Sequence, residues 1–336
     1  MPFRSPKELR IVMLGKTGAG KSALGNSLLQ SELFQSNSYG ASVTVHCKFG
    51  NRRLDNGKKL VVIDTPGIFD TRKSNLETSK ELIRCIGLSS PGPHIFVFVL
   101  KIGRFTQEEM ETIQHLKDLF GEDVVNYVII VFTGKDSLDY DGSTIHEHIQ
   151  HCPPELQSLV GQCKRRIATI NNRAKPRALA KDVKGILDLM AQTVRQNGGG
   201  YYTGEMFEGA ERAYQEKLRL LEEEKNKKER ELEQKARKIE KEAKRKMREL
   251  EGMKLENNKK KKELERIKRR QRQKEEELEE ELERIKNIDT RQKFRDDVES
   301  NDGAIVDIAR GIEKVGRGIG RAAKGVWNKL TGWLGF

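Results

Sequence analysis

The segment Gly15-Lys16-Thr17-Gly18-Ala19-Gly20-Lys21-Ser22 fits the spacing GxxxxGK[ST]. Glycines at those positions let backbone N–H groups turn inward around an anion, and a helix N-terminus behind them adds its positive dipole end. The lysine supplies a point charge and the serine a hydroxyl suited to a hard cation. The chemistry this pattern supports is the cradling of a polyphosphate, with Lys21 on the β- and γ-phosphates and Ser22 on Mg²⁺. A second element, Asp64-Thr65-Pro66-Gly67, follows an apolar run. A carboxylate at a strand end beside such a loop can hold the same Mg²⁺, usually through water, and Gly67 can offer its N–H to the γ-phosphate. Thr44 lies between the two in a polar loop, and its hydroxyl is a candidate third ligand for Mg²⁺ and the γ-phosphate. A third element should read the base. Thr133-Gly134-Lys135-Asp136-Ser137 follows the apolar run 128–132. Guanine needs a carboxylate that accepts from its ring N–H and amino group, with a lysine stem along the ring; Asp136 and Lys135 are the candidates. Asn171 and Asn172, after the apolar stretch Ile167–Ile170, are amides that could also bond the base.

These groups need a rigid frame. Ile11–Leu14, Leu60–Ile63, Ile95–Leu100 and Val128–Phe132 are short and apolar on both faces, as buried parallel strands are. Amphipathic stretches such as Gln107–Phe120 lie between them. Strand alternating with helix predicts an α/β fold with a mainly parallel sheet and helices on both faces. The site residues then fall at the carboxyl ends of the strands, where open α/β sheets bind nucleotides.

The frame ends near residue 200. Charged residues make up 34% of the chain and mean hydropathy is −0.71, and the second half of the chain carries the excess of charge. A glycine-rich hinge spans 198–204, and from 205 to about 290 the chain is almost wholly Glu, Lys, Arg, Gln and Leu without proline, a helical composition. Apolar residues at 232, 236, 239, 243 and 250, and again at 278, 282 and 285, trace a thin heptad seam. Both a solvated single helix held by Glu-to-Lys pairs and a coiled coil pairing two chains fit it. The net charge of +13 calls for an acidic partner surface. Nucleic acid is not expected: glutamates flank the runs Lys259–Lys262 and Lys268–Arg270, and no aromatics interleave them. Residues 301–336 are a basic, glycine-rich amphipathic tail. As a helix it places Ile305, Ile308, Ile312, Val315, Ile319, Val326, Leu330 and Trp333 on one stripe, which suits either an anionic membrane surface or docking on the first domain. The four cysteines show no metal or CxxC spacing, and the first residues lack an apolar core. No stretch reaches the roughly 20 apolar residues of a membrane span. A cytoplasmic protein with at most peripheral membrane contact is expected.

Gly92-Pro93-His94-Ile95-Phe96-Val97-Phe98-Val99-Leu100-Lys101-Ile102-Gly103-Arg104-Phe105-Thr106 lies between the second and third elements, and the exit from the domain reads Gly199-Gly-Tyr-Tyr-Thr-Gly-Glu-Met-Phe207. With Gly15–Ser22, Asp64–Gly67, Phe132–Leu138 and Asn171-Asn172, these segments resemble the GIMAP family, the immune-associated nucleotide-binding GTPases of AIG type, over about residues 7–210. The resemblance implies a Ras-like P-loop G domain over residues 1–200, GTP and GDP as ligands with Mg²⁺, and GTP-dependent self-association, often on intracellular membranes. A long helix or coiled coil (205–290) and the amphipathic tail (301–336) complete the chain. Two departures bear on chemistry. The family's acidic residue before the leucine of the fourth box is here Ser137, with Asp136 one residue earlier, so either Asp136 reads guanine or Asn171 and Asn172 carry more of the recognition. Ile68 stands where Ras-like enzymes place a water-orienting glutamine, so hydrolysis should be slow without a partner. Arg104 is either a finger acting across a dimer or a surface arginine. The expected function is a nucleotide-controlled assembly switch, with a scaffold whose nucleotide site is mainly structural as the alternative.

Overall fold

The structure, a computed structural model, describes residues 7–36, 44–67, 75–252 and 257–315. The first part alternates strand and helix: β1 (Glu8–Leu14), α1 (Lys21–Leu29), β2 (Lys48–Arg53), β3 (Lys59–Asp64), α2 (Asn75–Ser89), β4 (Ile95–Lys101), α3 (Gln107–Phe120), β5 (Val128–Thr133), α4 (Asp136–Asp141), α5 (Ile145–Gln150), α6 (Pro154–Gln162), β6 (Ile167–Ile170) and α7 (Pro176–Gln196). The helices α8 (Glu205–Gly252), α9 (Asn257–Lys286), α10 (Thr290–Ser300) and α11 (Asp302–Val315) come after it.

The strands form one six-stranded sheet in the order β2-β3-β1-β4-β5-β6. Every pairing is parallel except that of β2 with β3. The middles of the parallel strands are apolar because both faces are covered. One face, with Ile11, Met13, Val62, Val97, Val99, Ile129 and Val131, packs on Leu24 and Leu28 of α1 and on Val183, Ile186 and Met190 of α7. Phe96, on the opposite face, meets an aromatic cluster of Phe120 and Tyr202, which Phe207 joins at ring-centroid distances of 5.7 and 5.9 Å. Tyr202 is fixed by its N–H on Pro93 O (2.8 Å) and its hydroxyl on Phe120 O. The Gly-Gly-Tyr-Tyr exit is therefore a packed seal.

The chain divides into two compact units, residues 214–294 and the remainder. In the first of these, Tyr214 stacks edge-on against Phe294 (5.1 Å), and Arg291 lies over the Tyr214 ring (3.8 Å). The chain that leaves along α8 thus returns to its starting point through α9. Leu232 and Ala243 are buried, and Ala236, Ile239, Leu250, Leu264, Ile267, Leu278, Leu282 and Ile285 are half-buried amid exposed charges. These include all the seam positions read from the sequence.

In the other unit, α11 packs against α2, and the C-terminal turns of α10 join it. Ile305, Ile308, Ala309 and Ile312 are almost wholly buried. The described part of the tail stripe is therefore docked on the domain; Ile319, Val326, Leu330 and Trp333 lie outside the described residues.

Candidate nucleotide site

The carboxyl ends of β1, β3, β4, β5 and β6 open on one edge of the sheet, and the residues singled out in the sequence gather there. Gly15 follows β1 with φ +141°, and a Cβ at that position would stand 2.4 Å from Val99 O on β4. Only glycine lets the loop leave its strand this close to the neighbour. The loop 15–20 then turns into α1. Thr133, at the end of β5, donates its hydroxyl to Ala19 O (2.7 Å), and Thr65 donates to Met13 O (2.6 Å). Lys21 is buried, and its ammonium donates to Gly15 O (2.8 Å) and Lys16 O (2.9 Å). The lysine curls back over the loop, so its charge is held at the loop's mouth. Lys16 pairs with Glu109 (3.2 Å), which caps α3 together with Thr106.

Ser22, Thr44 and Asp64 converge beside this loop. Ser22 Oγ donates to Asp64 Oδ2 (2.7 Å), Thr44 Oγ1 to the same oxygen (3.3 Å), and the two hydroxyls are 3.1 Å apart. Asp64 is 1% exposed, and its other oxygen, Oδ1, is buried without a hydrogen-bond partner among the described residues. Burial pushes the Asp64 carboxyl up from its usual range; the bonds from Ser22 and Thr44 and the charges of Lys21 and Lys48 offset only part of that. A buried carboxylate with an idle oxygen is unfavourable unless something positive meets it. Two hydroxyls and one carboxylate form an all-oxygen donor set, which suits Mg²⁺. The residues present therefore fit the ion.

On the base side, Lys135 donates to Asp182 Oδ1 on α7 (2.6 Å), and Asn171 N–H donates to Asp182 Oδ2 (3.3 Å). Asn171 Oδ1 accepts from Arg173 N–H (2.9 Å), and Asn172 Oδ1 from the Ser27 hydroxyl on α1 (3.0 Å). Each amide oxygen thus accepts one bond within the chain, and each NH₂ group adds donors beside it. Asp136 and Ser137 are both exposed in the first turn of α4. Arg104 is exposed in the loop between β4 and α3. Gly67 is buried at the last described position before α2, and Ile68 lies outside the described residues.

The structure thus brings Gly15–Ser22, Thr44 and Asp64 together at one corner, and Lys135, Asn171 and Asn172 at another. Sequence reading passed over Asp182, Glu109 and Ser27. Glu109 carries a local signal, the capping box opened by Thr106. Asp182 and Ser27 carry none: each looks like an ordinary polar helix residue until the sheet brings it to the site.

A family model described as the AIG1 family matches residues 9–222. Immune-associated nucleotide-binding protein 9 of Arabidopsis thaliana is 31% identical over 199 residues, 59% of this chain and 58% of that protein. Immune-associated nucleotide-binding protein 13 of the same organism is 34% identical over 224 residues, 65% of this chain and 66% of that one. The alignments span about three fifths to two thirds of these relatives. Among solved structures, Toc33 from Arabidopsis thaliana in complex with GDP and Mg²⁺ aligns with TM-score 0.42 at 17% identity, covering 56% of this chain and 86% of that one. Era from Aquifex aeolicus bound to GDP.AlF4- aligns with TM-score 0.39 at 19% identity, covering 55% and 57%.

Proposed function

The chain belongs to the AIG1 family, and from that premise and the site's geometry we propose that it binds GTP and GDP with Mg²⁺ and acts as a nucleotide-controlled assembly switch. The observation that carries this reading is the buried Asp64, its Oδ1 without a partner among the described residues, beside Ser22, Thr44 and the turned-in Lys21. In this reading the backbone of 15–20 wraps the β-phosphate, and Lys21 leaves the carbonyls of Gly15 and Lys16 for the phosphate oxygens. Ser22, Thr44 and Asp64 would hold Mg²⁺, which would neutralise phosphate charge when bound. The γ-phosphate meets Thr44 and Gly67, and the face they form pairs with a second G domain. Gly67 donates to that phosphate, and Lys135, Asp136, Asn171 and Asn172 read guanine. With Ile68 in the glutamine's place, hydrolysis is slow unless a partner supplies a group, for which Arg104 is the candidate in the chain.

Titration of the full chain with fluorescent GDP, with Mg²⁺ and then with chelator, tests the binding step. Tight binding in Mg²⁺ that weakens with chelator, and weak competition by ADP, are expected. Equal displacement by GDP and ADP would overturn the guanine reading.

A second reading is a scaffold in which the nucleotide is mainly structural. The helical unit 214–294 supports it, since that unit offers a charged surface whatever the nucleotide. The basic residues Arg317, Arg321, Lys324 and Lys329, with Trp327 and Trp333, suit an anionic membrane interface in either reading.

A further inference from the structure

Asp182 sits in the second turn of α7, where an aspartate would ordinarily face water. Its side chain is instead 9% exposed, and both oxygens are engaged. One bonds the Lys135 ammonium from the loop after β5, and the other the Asn171 N–H from the loop after β6. A backbone bond from Lys135 N–H to Ile170 O (3.3 Å) ties the same two loops. A single carboxylate on a rigid helix therefore fixes the two segments that the guanine reading assigns to the base.

A lysine has four rotatable side-chain bonds, and freezing them when a ring arrives opposes binding. A partner that freezes them beforehand removes that loss. Donors gather on these loops. The Lys135 ammonium donates, and Asn171 and the adjoining Asn172 each carry an NH₂ group beside an oxygen that already accepts one bond. A set of donors matches a purine with an acceptor at position 6, as in guanine and hypoxanthine, and mismatches adenine, which carries an amino group there.

We infer that Asp182 is a positioning residue for recognition of 6-oxopurine nucleotides, acting through Lys135 and Asn171. The inference rests on the guanine-nucleotide reading above and adds to it the residue that presets the base-reading loops.

The test is competition binding of GDP, IDP and ADP to the full chain with Mg²⁺, for the wild type and Asp182→Ala, Asp182→Asn, Asp182→Glu, Lys135→Ala and Lys135→Ala/Asp182→Ala. Loss of one charge-assisted hydrogen bond predicts that Asp182→Ala binds GDP and IDP about tenfold more weakly, with ADP unchanged. Asp182→Asn, which keeps the shape, should follow it in the same direction. Asp182→Glu should recover part of the affinity, and the double variant should be no weaker than Lys135→Ala. Three nucleotides weakened by one common factor, or unchanged GDP affinity in both Asp182→Ala and Asp182→Asn, would overturn the inference. A wild-type chain that binds none of the three would remove the guanine reading, and the inference with it.

Discussion

Asp64 occupies a place where an ionised carboxylate is unfavourable in the empty protein. Its carboxyl is raised chiefly by burial, so the neutral form is favoured on folding. The resulting penalty is present at neutral pH and fades as pH falls through the raised value. Asp64→Asn should therefore make the nucleotide-free protein more stable at pH 7, by about 1 kcal/mol or a rise of about 2–4 °C in Tm, while removing Mg²⁺-dependent nucleotide binding. Calorimetry of the empty variant against the wild type, with a nucleotide titration of each, checks both halves. A lower Tm would mean that the Ser22 and Thr44 bonds outweigh the burial. Lys21→Ala should leave the domain folded and weaken triphosphate binding severely; unchanged GTP affinity would refute the phosphate assignment. Asp136→Ala should erode the preference for GDP over ADP, whereas Ser137→Ala should not, and the reverse would shift the base-reading register by one residue. At this scale much was legible. Gly15–Ser22 and Asp64–Gly67 are contiguous, and their backbone conformation and chemistry are written in one short stretch. Thr44 was legible only as a loop threonine between them, and its 3.3 Å bond to Asp64 is a long-range fact. Asp182 was not legible, because the pairing that gives it meaning spans separate crossover units.

Among elements, the strands and the order of helices followed from buried apolar runs. The docking of α10 did not, and that of α11 was one of two readings of its apolar stripe. That packing depends on single complementary features set far apart in the chain. Arg295 is 1% exposed and forks onto Glu8 with bonds of 2.7 and 2.9 Å, with a third bond to Leu88 O (2.9 Å). Arg84 of α2 bonds Asp302 (2.9 Å) and Val298 O (3.3 Å) from one side of its guanidinium and Glu81 from the other. Glu81 in turn holds Cys47 N–H (2.6 Å) and His46 (2.8 Å), a few residues beyond Thr44. Gly209 and Gly311 let α8 and α11 cross backbone to backbone: a Cβ on Gly209 would stand 2.3 Å from Ile312 Cα. Gly209→Ala should force the helices apart and destabilise the unit by about 1–3 kcal/mol, read as a lower denaturant midpoint; an unchanged midpoint would contradict the close crossing. Burial alone would raise the Glu8 carboxyl, but the bonds and charge of Arg295, with those of Arg10, outweigh it and hold it at about 2. The stabilisation from this pair is thus complete above the usual carboxylate range and is lost as pH falls from about 4.5 towards about 2. Glu8→Gln leaves a buried arginine without its anion, and should destabilise the protein by about 3 kcal/mol at pH 7. The gap between variant and wild type should close as the pH is lowered through that window. A gap independent of pH would mean that shape, not charge, holds α10 in place.

For the whole molecule, the heptad seam of 232–250 and 278–285 left open whether α8 pairs with another chain or stands alone. The Tyr214–Phe294 contact joins the two ends of the helical unit, and Leu232 and Ala243 are buried within it. Periodicity reports that a helix face needs cover; it does not say which chain provides it. The switch reading puts assembly on the nucleotide face of the first domain and makes pairing there depend on the γ-phosphate. Without a glutamine after Gly67, the isolated monomer should turn over GTP at a rate on the order of 10⁻⁴ to 10⁻³ s⁻¹ in single-turnover assays. The most direct test of the switch is sedimentation velocity of the full chain with Mg²⁺ and either GDP or a non-hydrolysable GTP analogue. The account predicts a monomer with GDP, a dimer or larger species with the analogue, and a monomer in both for Asp64→Asn. The same sedimentation coefficient for the wild type in both nucleotides, at concentrations where both are bound, would contradict it.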